Sequence, residues 1–196
     1  MALEPPNELS PATRYAFKAA LIGAAHQFEL TDNGLSWRIA GKSGVWPYTS
    51  ISSIRLSYRP VSMQSRRFRA DIDREGGGHI RLLSITWQTA TLMAPQDKDF
   101  RDFIVQLHRR MAEAGSNAAL IGGLSRRAYL AAAVVLGLLG IAMAGLFIRA
   151  IATLEFTGAL FLLGFAALFA WQVGGFVRRN RPQTYTFEHL PEGLLP

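Results

Sequence analysis

The chain has 196 residues, 49% of them hydrophobic, and its 21 lysine and arginine residues outnumber its 14 aspartate and glutamate residues to give a net charge of +7. This length allows one compact domain together with a short membrane hairpin. The sequence contains no cysteine, which excludes disulfides, thiolate zinc sites and cysteine nucleophiles. An anionic membrane surface explains the positive charge more simply than nucleic acid does, because the chain contains two long apolar segments.

Residues 1–25 are interpreted as an N-terminal lead-in. Acidic residues and prolines open this segment, and its longest apolar run, 19–25, is short for a signal core, so we expect no targeting peptide. The pattern of residues 13–25 fits a short helix and a first strand equally well.

Alternating apolar and polar residues fill the next segment, and clusters of turn-forming residues divide it. Asp32, Asn33 and Gly34 give a strong hairpin signal, and glycine-rich turns are predicted at 41–44 and 75–78. The period of two predicts about six or seven short strands, at 27–31, 35–39, 51–58, 67–74, 79–85 and 86–93. Regularly spaced short strands are typical of a small antiparallel barrel or sandwich.

A helical period follows the last predicted strand. Pro95 suits the first helical position, Asp97 and Asp99 lie in the first turn, and Gly115 is a natural C-terminal stop. One apolar stripe runs along this helix and comprises Phe100, Phe103, Ile104, Leu107 and Met111. Such an amphipathic helix would cap one end of the strand domain, which is predicted to cover residues 26–114.

Two phrases in this domain resemble the bacterial pleckstrin-homology-like (PH-like) domains, namely residues 28–37, FELTDNGLSW, and residues 46–56, WPYTSISSIRL. The resemblance covers residues 26–113. It implies a mixed fold with a PH-like β-barrel and a C-terminal helix, acting as a binding or scaffold module without catalysis and often fused to membrane spans. Phosphoinositide-binding eukaryotic relatives keep a basic loop between the first two strands, whereas the loop here, 32–34, has no lysine or arginine.

A linker at 115–127 leads to two uncharged segments. Residues 128–148 run for 21 residues without a charge, and residues 156–177 run for 22. Each is about 32 Å long as a helix, which is enough for a hydrocarbon core of about 30 Å. The seven connecting residues are too few for a domain, so we predict an antiparallel transmembrane hairpin over residues 128–177.

Arginines on the outer flanks of this hairpin predict its orientation. The connecting turn carries Arg149 alone, whereas the flanks, named here the arginine end, carry Arg126, Arg127, Arg178, Arg179 and Arg181. The positive-inside rule then places both termini in the cytoplasm, in an inner-membrane protein with two spans and a cytoplasmic tail at 178–196.

Small residues in the two spans offer a helix-packing seam, because lipid gives no hydrophobic drive for helix pairing. The seam is predicted at Ala133, Gly137, Gly140 and Ala144 in the first span and at Gly158 and Gly164 in the second. General richness in alanine and glycine is the alternative explanation.

A set of arginines around the loop 60–65, named here the basic surface, comprises Arg55, Arg59, Arg66, Arg67 and Arg69. If strands 51–58 and 67–74 are neighbours, these side chains share one outward face, which would contact anionic headgroups. The alternative is an ordinary solvated face that Asp71 and Asp73 partly neutralise.

Other motifs do not support a chemical site. Residues 41–43, Gly-Lys-Ser, lack the earlier glycine and the following helix of a phosphate-binding loop. Asp71 and Asp73 lie beside arginines, which favours a salt-bridged surface over an acid–base pair. The four histidines have no ligand spacing. We therefore expect no catalytic, cofactor-binding or metal-binding residue.

The predicted function is that of a membrane-anchored, non-catalytic interaction or scaffold module whose strand domain lies near the inner leaflet. The alternative is a small regulatory or assembly subunit of a larger membrane complex, recognised through the hairpin. Expected partners are membrane lipids, including anionic headgroups, and a protein partner or a second copy of the chain, but not nucleic acid. The tail, 178–196, either lies along the strand domain, docks to a partner or is frayed.

Overall fold

A computed structural model describes residues 13–59, 66–89 and 92–196. The chain divides into two compact units, one formed by Met1–Gly122 with Thr184–Pro196 and the other by Gly123–Gln183. The first, the strand unit, contains antiparallel sheets and one helix, and the second, the hairpin unit, contains two long apolar helices. Residues 1–12 of the predicted lead-in and the loop 60–65 lie outside the described residues.

The first sheet of the strand unit contains four antiparallel strands in chain order: β1 (Arg14–Phe17), β2 (His26–Thr31), β3 (Gly34–Ile39) and β4 (Lys42–Trp46). Strand β1 settles the alternatives for residues 13–25, because it pairs along its whole length with β2. The β2–β3 turn requires glycine, since Gly34 has a φ of 136° and a Cβ there would collide with the carbonyl oxygen of Trp46.

The turn predicted at 41–44 is wrong in its position, because β4 already begins at Lys42. The turn lies at Ala40 and Gly41, whose φ angles are 47° and 79°, and the chain is already extended at Lys42. Gly44 lies inside β4 because the indole ring of Trp37 packs against it, with a built Cβ only 3.0 Å from that ring. The glycine that indicated a turn therefore makes room for a side chain.

The second sheet has the order β11-β10-β5-β6-β7. Its members are β5 (Ile51–Tyr58), β6 (Phe68–Arg74), β7 (His79–Leu83), β10 (Ala119–Gly122) and β11 (Gln183–Thr184). Strands β5, β6 and β7 are antiparallel, whereas β10 runs parallel to β5 and lies inside the segment 115–127 that the sequence assigns to a linker. Four residues are too short a run to reveal a strand by periodicity alone.

A short hairpin of β8 (Ile85–Trp87) and β9 (Met93–Pro95) replaces the continuous strand predicted at 86–93. Pro95 belongs to β9, so its prediction as the first helical residue is wrong. The helix α1 (Asp97–Glu113) begins two residues later, after Gln96, whose N–H donates to the Ser84 carbonyl over 2.7 Å. Its apolar stripe is confirmed, since all five side chains are fully buried, and Gly115 ends the helix with a φ of 68°.

The core of the strand unit includes the end of the tail. Leu194 and Leu195 are buried beside the side chains of both sheets and α1, and Tyr185 and Phe187 pack against the same core. The N–H of Tyr185 donates to the carbonyl of Leu120 over 3.2 Å. Of the three alternatives for the tail, the structure has the one in which it lies along the strand domain.

Within the described residues no sheet closes on itself. The fold is therefore mixed, with antiparallel sheets and three helices, and the PH-like barrel stays a prediction at this point.

The hairpin unit consists of α2 (Arg126–Ala152) and α3 (Phe156–Arg179), joined by residues 153–155. Ser125 caps α2, because its Oγ accepts a hydrogen bond from the N–H of Ala128 over 3.3 Å. Both helices are long and apolar enough to cross a membrane, and none of the most apolar 18-residue window in either is buried.

Candidate functional site

The outward face of strands β5, β6 and β7 carries Arg55 and Arg69 of the basic surface, and the other three arginines lie just beyond the ends of β5 and β6. Cross-strand pairing places Arg55 opposite Asp71 and Asp71 opposite Arg81, so that one row of side chains runs across three strands. The next row pairs Ser57 with Arg69. Alternation along each strand sends the apolar neighbours of these residues into the core, which is why the charges collect on one side.

Asp71 is the centre of this face. Its carboxylate accepts from Arg69 Nη2 over 2.7 Å and lies 2.6 Å from Arg69 Nε, and Arg81 Nε and His79 Nε2 each approach to 3.2 Å. The side chain of Asp71 is only 9% exposed, although the arginine and histidine beside it reach solvent. The salt-bridged surface predicted as the alternative to an acid–base pair is therefore present, and Arg69 is committed to it.

Asp73 forms a second pairing on the same strand. His79 Nδ1 lies 2.8 Å from its carboxylate, and the Ser53 hydroxyl donates to it over 2.9 Å. Burial alone would raise the pKa of Asp73, but the hydrogen bonds from His79 and Ser53, together with the charges of His79 and Arg55, outweigh it and hold that pKa below its ordinary value. Asp73 therefore stays ionised at neutral pH and offsets part of the positive charge.

Arg67 has the opposite environment. Burial first, and then the positive charges of Arg59, Arg69 and Arg81, lower the pKa of its guanidinium from the ordinary value. Its Nε is buried and, among the described residues, has no hydrogen-bond partner. A half-buried cation surrounded by cations is a place where an anion would be stabilised, because an anion would relieve the repulsion and accept the unused donor.

The structure thus divides the predicted basic surface. Arg55 lies in the row of Asp71, and Arg69 lies in the next row and pairs with Asp71. Arg59 and Arg67 form the uncompensated part, and Arg66 is exposed and precedes β6. Arg81 belongs to the same surface and was missed. Its alternation with Ile80 and Leu82 marks it as outward, but only the β6–β7 register shows that it lies opposite Asp71.

The hairpin unit holds the remaining predicted residues. Arg126 and Arg127 begin α2, Arg178 and Arg179 end α3, and Arg181 follows, all of them exposed. A close backbone contact joins the two flanks: the N–H of Leu124 donates to the Asn180 carbonyl over 3.0 Å. A Cβ at Gly123 would lie 2.5 Å from the carbonyl oxygens of both Asn180 and Arg181, so only glycine fits there.

The glycines of the predicted seam have open space where a side chain would begin. A Cβ built at Gly137, Gly140 or Gly164 has no neighbouring atom within 4 Å, and one at Gly158 meets only the Glu155 carboxylate. Gly140 and Ala144 instead line a groove between α2 and α3, while Ala133 is exposed. The alternative explanation, general richness in small residues, accounts for these glycines.

No protein-family model, curated protein or solved structure matches the chain. Among the described residues, no group of three histidine, aspartate or glutamate side chains could hold a metal ion. Two surfaces are therefore the candidates for a function: the apolar hairpin with its arginine end, and the basic surface of the strand unit.

Proposed function

We propose that this chain is a non-catalytic interaction module anchored in the inner membrane by the hairpin unit, with the strand unit and both termini in the cytoplasm. The strand unit is proposed to be a PH-like domain that faces the anionic inner leaflet with its basic surface. The observation that carries this proposal is the unburied apolar surface of α2 and α3.

That surface is too large and continuous to remain in water. The helices have 27 and 24 residues and are therefore about 40 and 36 Å long, more than the roughly 30 Å of a hydrocarbon core. Large apolar side chains along both helices are exposed, among them Ile141 at 71% and Phe161 at 72%. Apolar areas of this size on soluble proteins normally contact a membrane or a partner.

One feature supports the orientation, and a second supports a common side for both flanks. The arginine end carries five arginines, and the turn at the other end carries Arg149 with Glu155, which the positive-inside rule assigns to the cytoplasmic and outer sides respectively. In addition, Leu120 before the hairpin and Tyr185 after it are hydrogen bonded within one folded unit. Both flanks of the hairpin must then emerge on the same side of the membrane.

The element order supports the PH-like assignment. Strands β1–β4 form one antiparallel group and β5–β7 form a second. After the short β8–β9 pair comes α1, whose apolar stripe belongs to the same core as both groups. This order is what the resemblance of residues 28–37 and 46–56 implies. The additions are β10, β11 and the returning tail, which extend the second sheet beyond that pattern.

Site-directed labelling tests the anchor. Because the chain contains no cysteine, a single introduced cysteine is the only thiol. We expect Leu154→Cys, in the turn between the helices, to react with a membrane-impermeant maleimide in intact cells. Glu188→Cys, exposed on the tail, should react only after the inner membrane is opened. The reverse pattern would refute the orientation, and recovery of the full chain in the soluble fraction without detergent would refute the anchor.

Vesicle binding tests the basic surface separately. The strand unit can be prepared with residues 123–183 replaced by a short glycine–serine linker, which keeps β10 and the tail. Arg59→Gln with Arg67→Gln should weaken its binding to anionic vesicles about 25-fold, since each arginine near such a surface contributes about 1 kcal/mol. Lys42→Gln with Lys98→Gln removes the same charge from exposed positions elsewhere and should have a smaller effect. If the two pairs of substitutions had equal effects, vesicle binding would depend on net charge alone, and the specific role of the basic surface would be refuted.

A further inference from the structure

Charge is distributed very unevenly along the hairpin unit. Between residues 123 and 183 the only carboxylate is Glu155, and it lies next to the turn that joins the helices. The other end carries the five residues of the arginine end. Within residues 123–183 this end therefore carries five arginines and no aspartate or glutamate.

The Gly123 contact holds these charges together. The hydrogen bond from Leu124 to Asn180 and the close approach of Gly123 to the Asn180 and Arg181 carbonyls join the start of α2 to the end of α3. Asn180 is fully buried, and its side chain donates to the Phe176 carbonyl over 3.1 Å. The start of α2, with Arg126 and Arg127, is consequently held near the end of α3, and an anion between the arginines of the two ends would be stabilised.

An apolar groove runs between the helices and reaches this end. It has a volume of about 550 Å³, and on α3 it extends from Leu162 to Val177, the residue immediately before Arg178. Fifteen steps along a helix correspond to about 22 Å, which exceeds the depth of about 15 Å that one leaflet contributes to a 30 Å core. Every side chain that lines the groove is apolar, including Leu139, Met143 and Phe169.

The dimensions of the groove select its occupant. Its volume divided by its length gives a mean cross-section of about 25 Å², whereas an α-helix about 10 Å wide needs about 80 Å². A transmembrane helix of a partner therefore does not fit into it, but a single hydrocarbon chain does. The groove and the arginines together match a molecule that has a hydrocarbon chain and an anionic head.

We propose that the hairpin unit binds an anionic phospholipid, with one acyl chain in the groove and the phosphate among Arg126, Arg127, Arg178 and Arg181. This inference rests on the membrane insertion proposed above. Guanidinium groups pair with phosphate through two parallel hydrogen bonds, which makes arginine better suited than lysine to this role. The site lies wholly within the hairpin unit and is separate from the basic surface of the strand unit.

Native mass spectrometry of the full chain, purified in detergent with equal amounts of phosphatidylglycerol and phosphatidylcholine, tests the proposal. We expect the wild-type chain to retain phosphatidylglycerol in preference to phosphatidylcholine. Arg126→Gln with Arg127→Gln should reduce that preference about 25-fold, and Arg178→Gln with Arg181→Gln should do the same, at about 5-fold for each arginine. Arg149→Gln, at the opposite end of the helices, is the matched control and should leave the preference unchanged.

A second pair of substitutions tests the groove. Ala144→Phe with Ala166→Phe fills it with aromatic rings, and we expect lower retention of both lipids with helicity unchanged by circular dichroism. Equal retention of the two lipids by the wild-type chain would overturn the proposal, as would an equal loss in Arg149→Gln. If the chain stays in the membrane but shows no lipid preference, the lipid site is refuted and the anchor is not. If the chain is soluble, the anchor is refuted and the lipid site with it.

Discussion

Acidification should destabilise the strand unit through one buried histidine. His108, on α1, is fully buried, with Nδ1 2.8 Å from the Ile104 carbonyl and Nε2 3.0 Å from the Tyr185 hydroxyl. The carbonyl can only accept, so Nδ1 carries the proton of the neutral ring, and Nε2 accepts from the tyrosine. Burial lowers the pKa of His108 to about 4, against the opposing effect of the Ile104 hydrogen bond.

The sign and size of the effect follow from proton binding. The unfolded chain, with a histidine pKa of about 6.5, binds more protons than the folded chain between pH 6.5 and 4, so stability falls as the pH falls through that range. The full contribution is about 3 kcal/mol, and the part lost between pH 7.5 and pH 5 is about 2 kcal/mol. Below pH 4 both states are protonated and the loss is complete.

Denaturant unfolding of the strand unit, prepared with the linker in place of residues 123–183, measures this loss at several pH values. His108→Gln should unfold at lower denaturant at pH 7.5 but lose about 2 kcal/mol less than wild type on going to pH 5. His189→Gln, exposed on the tail, should keep the wild-type pH dependence. Parallel curves for wild type and His108→Gln would refute the reasoning, and so would an NMR titration in which the His108 ring protonates near pH 6.5.

Other substitutions test the contacts that hold each unit together. Asp71→Asn should destabilise the strand unit by about 2 kcal/mol because it leaves its arginines uncompensated, whereas Asp73→Asn, at a side chain 49% exposed, should cost under about 1 kcal/mol in denaturant unfolding. Gly123→Ala should lower the melting temperature of the full chain in detergent, while Gly164→Ala, which meets open space, should not. Leu195→Ala should cost the strand unit about 3 kcal/mol, and no change on unfolding would remove the tail from the core.

Local patterns predicted the elements that local physics determines. The stripe on α1 recurs with the helical period, and α2 and α3 are recognised by their length and apolarity, so a window of the sequence contains the whole signal. The helix start was missed by two residues because Pro95 satisfies two rules at once. It suits a first helical position, but it also suits the edge of the two-stranded β8–β9 sheet, where it pairs with Ile85.

Elements that depend on distant partners were missed. Strand β10 has four residues and exists because Leu120 fits beside β5 and into the core, which no window around residue 120 can show. The role of Gly44 in β4 depends on the ring of Trp37, although those two residues face each other across only one hairpin. Glycine signals a turn or a close packing contact equally well, and the neighbour decides which.

The same difference between local patterns and distant partners applies to the candidate surfaces. Five arginines of the basic surface were found because they cluster near one loop in the sequence. Their charge environments could not be predicted in the same way. The pairing of Asp71 with Arg81 is known only from the β6–β7 register, and the uncompensated charge of Arg67 only from the neighbouring positions of all three strands. The helix-packing seam stays a prediction, because small residues permit close approach but do not require it.

Because the tail follows the hairpin in the chain, the strand unit can complete its core only after the hairpin has been synthesised. Leu194, Leu195 and Tyr185 complete the core, yet they follow α2 and α3 in the chain. During synthesis, residues 1–122 therefore emerge with part of their core missing, and the missing part can arrive only after α2 and α3 have been made. A chain cut before the hairpin would lack this part of the core, whereas the linker variant retains it. If both proved equally stable, the tail would contribute nothing to the stability of the strand unit, and that unit would not depend on the hairpin for its folding.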